Sequence, residues 1–210
     1  MLEQPLKFFV VFFVVVEPVS LIPLFSGLTA GATVAYKRRM ALQAVSISAA
    51  ILLLFALGGA AFLALMGISV EAFRIFGGLL LFLLALEMVF ARESGARSSS
   101  SEEAESRRRA DISVFPLAFP FIAGPGAMAT ILLWFAPLRY PAQGALVGAY
   151  LVAVALVLAL CLLFMLLAEP LMRVIGVTGA NVASRLAGVI LGALAVQFVL
   201  DGLRQAFGVS

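Results

Sequence analysis

Apolar residues occur along the chain in long blocks, and most polar residues lie in the segments between them. A helix needs about 20 mostly apolar residues to cross a lipid bilayer, and six blocks reach that length. They cover residues 4–28, 40–66, 69–90, 112–138, 142–167 and 181–207. The pattern predicts an all-α integral membrane protein with six transmembrane helices.

The connection between the third and fourth blocks differs from the others in length and composition. Residues 92–111 contain serine, glycine, alanine and charged side chains but no large apolar residue. Because such a segment has little apolar surface to bury, it predicts a hydrophilic loop. The loop divides a first three-helix repeat, residues 1–91, from a second, residues 112–210, within one membrane domain.

Lysine and arginine are distributed unevenly between the two faces of this topology. One face holds Lys37, Arg38, Arg39, Arg92, Arg97, Arg107, Arg108, Arg109 and Arg173, and the other holds Lys7, Arg139 and Arg204. Cytoplasmic connections carry the excess of basic residues, so we expect both termini outside. The protein is then expected in the cytoplasmic (inner) membrane, with loop 92–111 in the cytoplasm.

Two of the predicted spans contain prolines at the same spacing, Pro-x4-Pro. Pro18 and Pro23 lie in the first span, and Pro120 and Pro125 lie in the fourth. Proline removes a backbone N–H and clashes with the carbonyl one turn earlier, so both spans are predicted to be broken helices. Peptide groups freed inside a bilayer are tolerated only within protein or beside a polar cavity. The breaks therefore predict a binding site.

The two halves share further features in the same order. These are Gly67-Ile68-Ser69 with Arg74 and Gly77 in the first half, and Gly176-Val177-Thr178 with Arg185 and Gly188 in the second. Because each half crosses the membrane three times, the second copy must be inverted relative to the first. The pattern predicts a 3+3 inverted repeat, an arrangement typical of many secondary transporters.

The composition narrows the classes of function. Hydrophobic residues make up 64% of the chain and the net charge is only +3, so we expect no nucleic-acid partner. The chain has no histidine and one cysteine, Cys161, which removes most metal ligands and nucleophile–base pairs. We therefore expect no enzymatic activity, no metal and no cofactor other than a coupling ion.

Glu17 is the carboxylate whose position most needs an explanation. It lies inside the first apolar block, where a charged side chain costs at least ~2.5–3.5 kcal/mol on insertion scales. Its predicted role is to bind a substrate ammonium group or to couple transport to H⁺ or Na⁺. The alternative is a structural carboxylate that pairs with an arginine or accepts bonds from backbone donors.

The sequence Gly124-Pro125-Gly126-Ala127 predicts a helix start inside the fourth span, since proline suits the first turn and glycine lets a ligand approach the main chain. Free N–H groups there would suit a carboxylate, and close helix packing is the alternative. The predicted substrate-binding residues are Glu17, Pro18, Ser20, Leu21, Ile22, Pro23, Pro120, Ala123, Gly124, Pro125, Gly126, Ala127 and Gln197.

Other residues within the spans are assigned structural roles. Arg74 and Arg185 are expected to bridge acids or loop carbonyls, with substrate binding as the alternative. Gly77 and Gly188 are assigned to packing, and glycines four residues apart favour close helix crossing within one chain or between chains. A homo-oligomer is therefore left open. The Gln197 side chain is equally suited to hydrogen-bond a ligand or a neighbouring helix.

Three motifs spread over the chain occur together in one family. They are Glu17-Pro18-x4-Pro23, Phe115-Pro116-Leu117-Ala118-Phe119-Pro120-x3-Gly124-Pro125-Gly126-Ala127, and Arg185-x2-Gly188-x7-Val196-Gln197-Phe198-Val199-x2-Gly202. The combination resembles the MarC family of six-span inner-membrane proteins. The resemblance implies SnatA-like transport of small neutral amino acids such as glycine and alanine, driven by an ion gradient. Members usually have Asp or Asn where this chain has Glu17.

These observations favour a secondary active transporter of small neutral amino acids that works by alternating access around a site at mid-depth. Its expected partners are the amino acid substrate and the lipid bilayer. A channel or exporter for other small polar solutes is the near alternative and would show no counterflow exchange. A non-transporting scaffold or sensor would tolerate the loss of Glu17.

Overall fold

The computed structural model describes residues 3–90, 111–138 and 142–208. The predicted hydrophilic loop therefore lies outside the described ranges, apart from Asp111, and so does Arg139. Every regular element within those ranges is helical. The all-α architecture predicted from the sequence is confirmed.

Eight helical segments follow one another along the described chain. They are α1 (Glu3–Val16), α2 (Leu21–Leu28), α3 (Val34–Leu65), α4 (Val70–Phe90), α5 (Ser113–Ile122), α6 (Pro125–Phe135), α7 (Gly144–Leu166) and α8 (Ala168–Phe207). A 3-10 turn over Pro18–Ser20 lies between α1 and α2. α5 is irregular and has wide, π-helical turns.

The long apolar helices account for the predicted membrane spans. By length and composition, five stretches are able to cross a bilayer, and a sixth is added when the bent pair α5 and α6 is taken as one span. α1 and α2 together form the first of these stretches, Glu3–Leu28. The chain is thus an integral membrane protein, while the inverted relation between its halves stays a prediction.

Two helices begin earlier than the hydropathy pattern predicted. α3 starts at Val34 rather than at residue 40, because Thr33 Oγ1 accepts a hydrogen bond from the Tyr36 N–H at 3.3 Å and caps the helix. The basic residues that follow are good helix formers, so the helix extends beyond its apolar block. α8 starts at Ala168, with a local interruption at Gly176, where φ is 65° and ψ is 173°.

The first span occupies the centre of the fold. Its most apolar window is 61% buried, against 22–39% for the other four stretches that qualify as single spans. α1 contacts α6, α7 and α8, and Phe8 and Phe12 are fully buried among them. The other helices therefore enclose the segment that carries Glu17.

α4 and the second part of α8 cross at close range through glycines. A Cβ atom at Gly78 would lie 2.8 Å from the Ala195 carbonyl oxygen, and one at Gly202 would lie 2.7 Å from Ile75 Cγ1. Small residues at such contacts let helix backbones approach in a membrane. Two helices of the same chain therefore cross closely at Gly78 and Gly202, which are not among the glycines that the sequence pattern assigned to packing.

Polar contacts fix one end of the bundle, where α3 begins. Lys37 forms an ion pair with Glu169 at the start of α8. The Ser113 hydroxyl and N–H donate to Asp111 Oδ1 at 2.6 and 2.8 Å. These two bonds, together with the charge of Arg39, hold the pKa of Asp111 below its usual range. The entry to α5 is therefore anchored by an ionised carboxylate beside α3.

Candidate functional site

The first span leaves regular helical geometry at Glu17. This residue has φ 52° and ψ 63°, in the left-handed region, and is followed by the 3-10 turn. Such a conformation costs of order 1–3 kcal/mol for a residue other than glycine. α1 has 14 residues, so Glu17 lies about 21 Å from the helix start at 1.5 Å per residue. The break is therefore deep within the span.

The Glu17 side chain is enclosed by protein, with 3% of its surface exposed. Among the buried residues that the structure describes, it is the only carboxylate, and the other polar ones are Thr29, Ser48, Ser113 and Thr130. A buried carboxylate must be hydrogen-bonded, paired or protonated. This acid therefore stands out among the buried residues that the structure describes.

The fourth span is interrupted throughout α5. Phe115 and Phe119 have extended backbone angles, −126° and 126° for the first and −130° and 130° for the second, and each precedes a cis peptide bond to proline. The Ala123 N–H bonds to the Ala118 carbonyl at 2.8 Å, five residues back. α6 then leaves α5 at an angle of 52°.

α6 begins at the second proline of the motif. Gly124 is its N-cap, has no side chain to satisfy the first turn, and is followed by Pro125 at the first helical position. The Met128 N–H closes the first turn by bonding to the Gly124 carbonyl at 3.0 Å. The N–H groups of Gly126 and Ala127 therefore have no acceptor within the helix and lie at the positive end of its dipole.

A cavity of about 30 Å³ lies where the two interrupted spans meet. Its lining consists of Val15, Leu80, Leu84, Pro120, Phe121, Gly124, Pro125, Gly126 and Ala127. Val15 precedes Glu17 by two residues, and its Cγ1 would lie 3.4 Å from a Cβ on Gly126. A water needs ~10–15 Å³ by this measure, so the cavity has room for about two waters.

The structure brings the fourth-span members of the predicted site together. Pro120 and residues 124–127 line the cavity, and Ala123 is fully buried beside them. The first-span members do not line it. Glu17, Pro18, Leu21 and Ile22 are buried, and Ser20 and Pro23 are half-buried. A role for these residues in binding stays a prediction.

Gln197 and the two arginines lie elsewhere. The Gln197 side-chain amide donates to Asp201 Oδ1 at 2.8 Å, one turn along α8. Arg74 is half-buried on α4 and Arg185 is exposed on α8, and neither belongs to the ion pairs formed between described residues. Bridging by these arginines is therefore still a prediction.

The two glycines assigned to packing are at helix contacts. A Cβ at Gly188 would lie 2.7 Å from Met88 Cβ on α4. A Cβ at Gly77 would lie 3.4 Å from Ala129 Cβ on α6. α4 thus presents Gly77 to α6, which starts at the cavity, and the neighbouring Gly78 to α8.

Two buried hydroxyls near the second break were missed by the sequence reasoning. Ser48 Oγ on α3 donates to the Ala44 carbonyl at 2.8 Å and approaches the Ala118 carbonyl of α5 at 3.4 Å. Thr130 Oγ1 donates to the Gly126 carbonyl at 2.9 Å. Nothing in the sequence marks Ser48, because its contact joins residues 70 positions apart. Thr130 follows Gly126 by four residues, the spacing at which a serine or threonine hydroxyl in a helix can bond to a carbonyl of the preceding turn.

Carboxylates and the cysteine are dispersed in the described part of the chain. No group of three or more Asp, Glu or Cys side chains there is placed to hold a metal ion. Cys161 is buried in α7. The polar groups near the breaks are thus backbone N–H groups, hydroxyls and the carboxylate of Glu17.

Known proteins resemble this chain over nearly its whole length. The family described as "MarC family integral membrane protein" matches residues 2–207. The UPF0056 membrane protein YhcE of Escherichia coli (strain K12) is 37% identical over 202 residues, which cover 96% of this chain and 92% of the relative. YvbG of Bacillus subtilis (strain 168), also a UPF0056 membrane protein, is 35% identical over 205 residues, 96% and 94% of the two chains.

A third relative is similar over nearly the same length. A UPF0056 membrane protein of Aquifex aeolicus (strain VF5) is 33% identical over 201 residues, 95% of this chain and 92% of the relative. No solved structure matches. With the family match across residues 2–207, the resemblance inferred from the proline and glycine motifs is confirmed: the chain belongs to the MarC family of integral membrane proteins.

Proposed function

We propose that this protein is a secondary active transporter of small neutral amino acids, of the size of glycine and alanine. The observation that supports the proposal is the meeting of two interrupted spans at one small cavity, where Val15 faces Gly126. Interrupted helices of this kind form substrate sites in secondary transporters, because freed peptide groups need a polar partner.

The start of α6 is suited to the carboxylate of an amino acid. The Gly126 and Ala127 N–H groups are free of intrahelical acceptors, and both residues line the cavity. Helix N-termini bind anions through such N–H groups and the helix dipole. Because Gly124 has no side chain to cap the helix, the substrate carboxylate can take the capping position.

The size of the cavity favours the smallest amino acids. Its volume of about 30 Å³ is small for a pocket that admits ligands, which typically measures ~300–1,000 Å³. Leu80 and Leu84 close it with apolar side chains. A substrate with a hydrogen or a methyl group as its side chain requires the least rearrangement of this wall.

Glu17 is the proposed coupling residue. It is a buried carboxylate at the break of the central span, and ionisable residues inside membrane spans typically mark ion or substrate pathways. If the site opens to one side of the membrane at a time, protonation of Glu17, or its binding of Na⁺, would be coupled to movement of the substrate. Alternating access of this kind requires the two halves of the protein to move relative to each other.

The proposed location is the cytoplasmic membrane, with both termini outside. Lys37, Arg38 and Arg39 lie at the start of α3, and Arg173 lies near the start of α8, which Lys37 contacts through Glu169. These basic residues therefore share one end of the bundle. The positive-inside tendency of membrane proteins supports a cytoplasmic position for that end.

Uptake of radiolabelled glycine and alanine by purified protein in liposomes tests the proposal. Proton and sodium gradients are imposed in turn, and we expect accumulation with one of them and counterflow exchange without either. Glu17→Gln removes the titratable group, so accumulation should fall to the level of empty liposomes while exchange persists.

Glu3→Gln is the matched control, since Glu3 is an acid in the same span whose side chain is 78% exposed. This variant should accumulate substrate like the parent. Uptake without counterflow would favour a channel. Accumulation by Glu17→Gln at the parental level would refute the coupling role, and no uptake under any gradient would refute transport of these amino acids.

A further inference from the structure

A second, larger cavity lies at the opposite end of α6 from the breaks. Its volume is about 460 Å³, and we call it the vestibule. Seven side chains with polar atoms contribute to its wall: Gln4, Lys7, Arg74, Trp134, Gln143, Tyr150 and Asp201. It shares no lining residue with the small cavity. Trp134 follows Gly126 by eight residues, which places the two cavities about 12 Å apart along the helix.

Opposite charges line the vestibule without neutralising each other. The Arg74 guanidinium and the Asp201 carboxylate are more than 4.0 Å apart, since they form no ion pair. Lys7 is already paired with Glu3 at 2.7 Å. Asp201 accepts one hydrogen bond, from Gln197, and its second oxygen remains available. The vestibule thus offers a cationic and an anionic group separated by open space.

Trp134 contributes an aromatic ring to the wall of the vestibule. Its indole Nε1 is buried and has no hydrogen-bond partner, although a buried donor left unsatisfied costs about 1–3 kcal/mol. The ring is held in place by Tyr150, at 5.6 Å and 88° between rings, and by Phe8 at 5.5 Å. The ring is therefore a rigid part of the wall, and its N–H is covered by protein.

We infer that the vestibule is a second binding site for a free amino acid in its zwitterionic form. The carboxylate binds Arg74, the ammonium group binds Asp201, and the ligand lies beside the ring of Trp134. The volume of about 460 Å³ falls within the ~300–1,000 Å³ of ordinary ligand pockets, so larger side chains fit than in the small cavity. The inference rests on the proposed function only in the choice of glycine as the probe.

Trp134 makes the site directly observable, because it is the only tryptophan of the chain. Purified protein in detergent is titrated with glycine, and the intrinsic fluorescence is recorded. Acetate and methylammonium, which carry only one of the two charges, are titrated in parallel. We expect a saturable response to glycine, and at least a tenfold higher half-saturating concentration for either single-charge probe.

Two variants test the charges separately. Arg74→Gln and Asp201→Asn should each raise the half-saturating concentration of glycine at least tenfold. Arg185→Gln is the matched control, because Arg185 occupies the corresponding place in the other half but is exposed and outside the vestibule; it should titrate like the parent. Gly126→Ala alters the small cavity and should impair uptake into liposomes while leaving the fluorescence titration unchanged.

The outcomes separate this inference from the transport proposal. A flat titration of the parent, or equal half-saturation for glycine, acetate and methylammonium, overturns the vestibule site even if uptake is observed. The same holds if both charge variants titrate like the parent. A saturable glycine response without uptake supports the vestibule and contradicts transport. The comparison of probes uses the parent protein, so a variant that fails to fold does not prevent a decision.

Discussion

Gly124 has the least space for a side chain of the glycines at the second break. A Cβ atom there would lie 2.1 Å from the Pro120 carbonyl oxygen. Its backbone angles, φ −73° and ψ 173°, are accessible to any residue. The need for glycine therefore comes from contact between two backbone segments, and neither of them is able to move aside as a flexible side chain would.

Gly124→Ala should lower the stability of the folded protein by about 1–3 kcal/mol, the usual cost of forcing extra atoms into a packed site. Thermal unfolding in detergent measures the effect. Gly148→Ala is the control, because a Cβ at Gly148 in α7 would meet nothing within 4 Å and alanine favours a helix by up to about 1 kcal/mol. Equal melting temperatures for the two variants would contradict the crowded contact at Gly124.

Local residue spacing was enough to predict some of the residues that line the small cavity, but not all of them. Pro125 and Gly126 were identified because proline and glycine have backbone preferences that act within a few residues. Val15, Leu80 and Leu84 complete the cavity, yet they are ordinary apolar residues on two other helices. Their contribution depends on tertiary packing, for which the sequence carries no local signal.

Among the helices, α6 connects the two candidate sites. Its first turn lines the small cavity and its Trp134 lines the vestibule. α4 touches both as well, through Leu80 and Arg74. A shift of α6 against α4 would therefore move a wall of each cavity.

The crossing of α4 and α8 gives a prediction at the level of helices. Gly78→Ala places a methyl group 2.8 Å from the Ala195 carbonyl oxygen, so the helices must separate, and we expect a loss of about 1–3 kcal/mol. Gly192→Ala, at the same interface, would bring its Cβ only to 3.6 Å from Ala85 Cβ and should be neutral. Thermal unfolding of both variants in detergent tests the difference; equal losses would contradict the crossing.

The helices themselves were largely predictable, and their ends were not. Long apolar blocks identify spans because the bilayer imposes their length. α3 nevertheless begins at Val34, since capping by Thr33 and helix-forming basic residues act outside the apolar block. The irregular shape of α5 was predicted only in part. Prolines indicate a break in the helix, but the extended backbone angles at Phe115 and Phe119 arise only in the folded protein.

For the molecule as a whole, thiol labelling tests the proposed orientation. Cys161 is fully buried, so the parent should not react with a membrane-impermeant maleimide. Ile68→Cys, in the α3–α4 connection where the side chain is 42% exposed, should be labelled in intact cells. Ala30→Cys, in the exposed α2–α3 connection, should be labelled only after the membrane is opened. The reverse pattern would show that the basic end faces outward.

The enclosure of the first span has a consequence for biogenesis. The first span is surrounded by α6, α7 and α8, which follow it in the chain and therefore emerge later from the ribosome. It can reach its final place only after the C-terminal half has been inserted. Until then Glu17 lacks the protein that covers it, and a chain truncated after α4 would present this acid to lipid. We expect such a fragment to be recognised by membrane quality control and degraded.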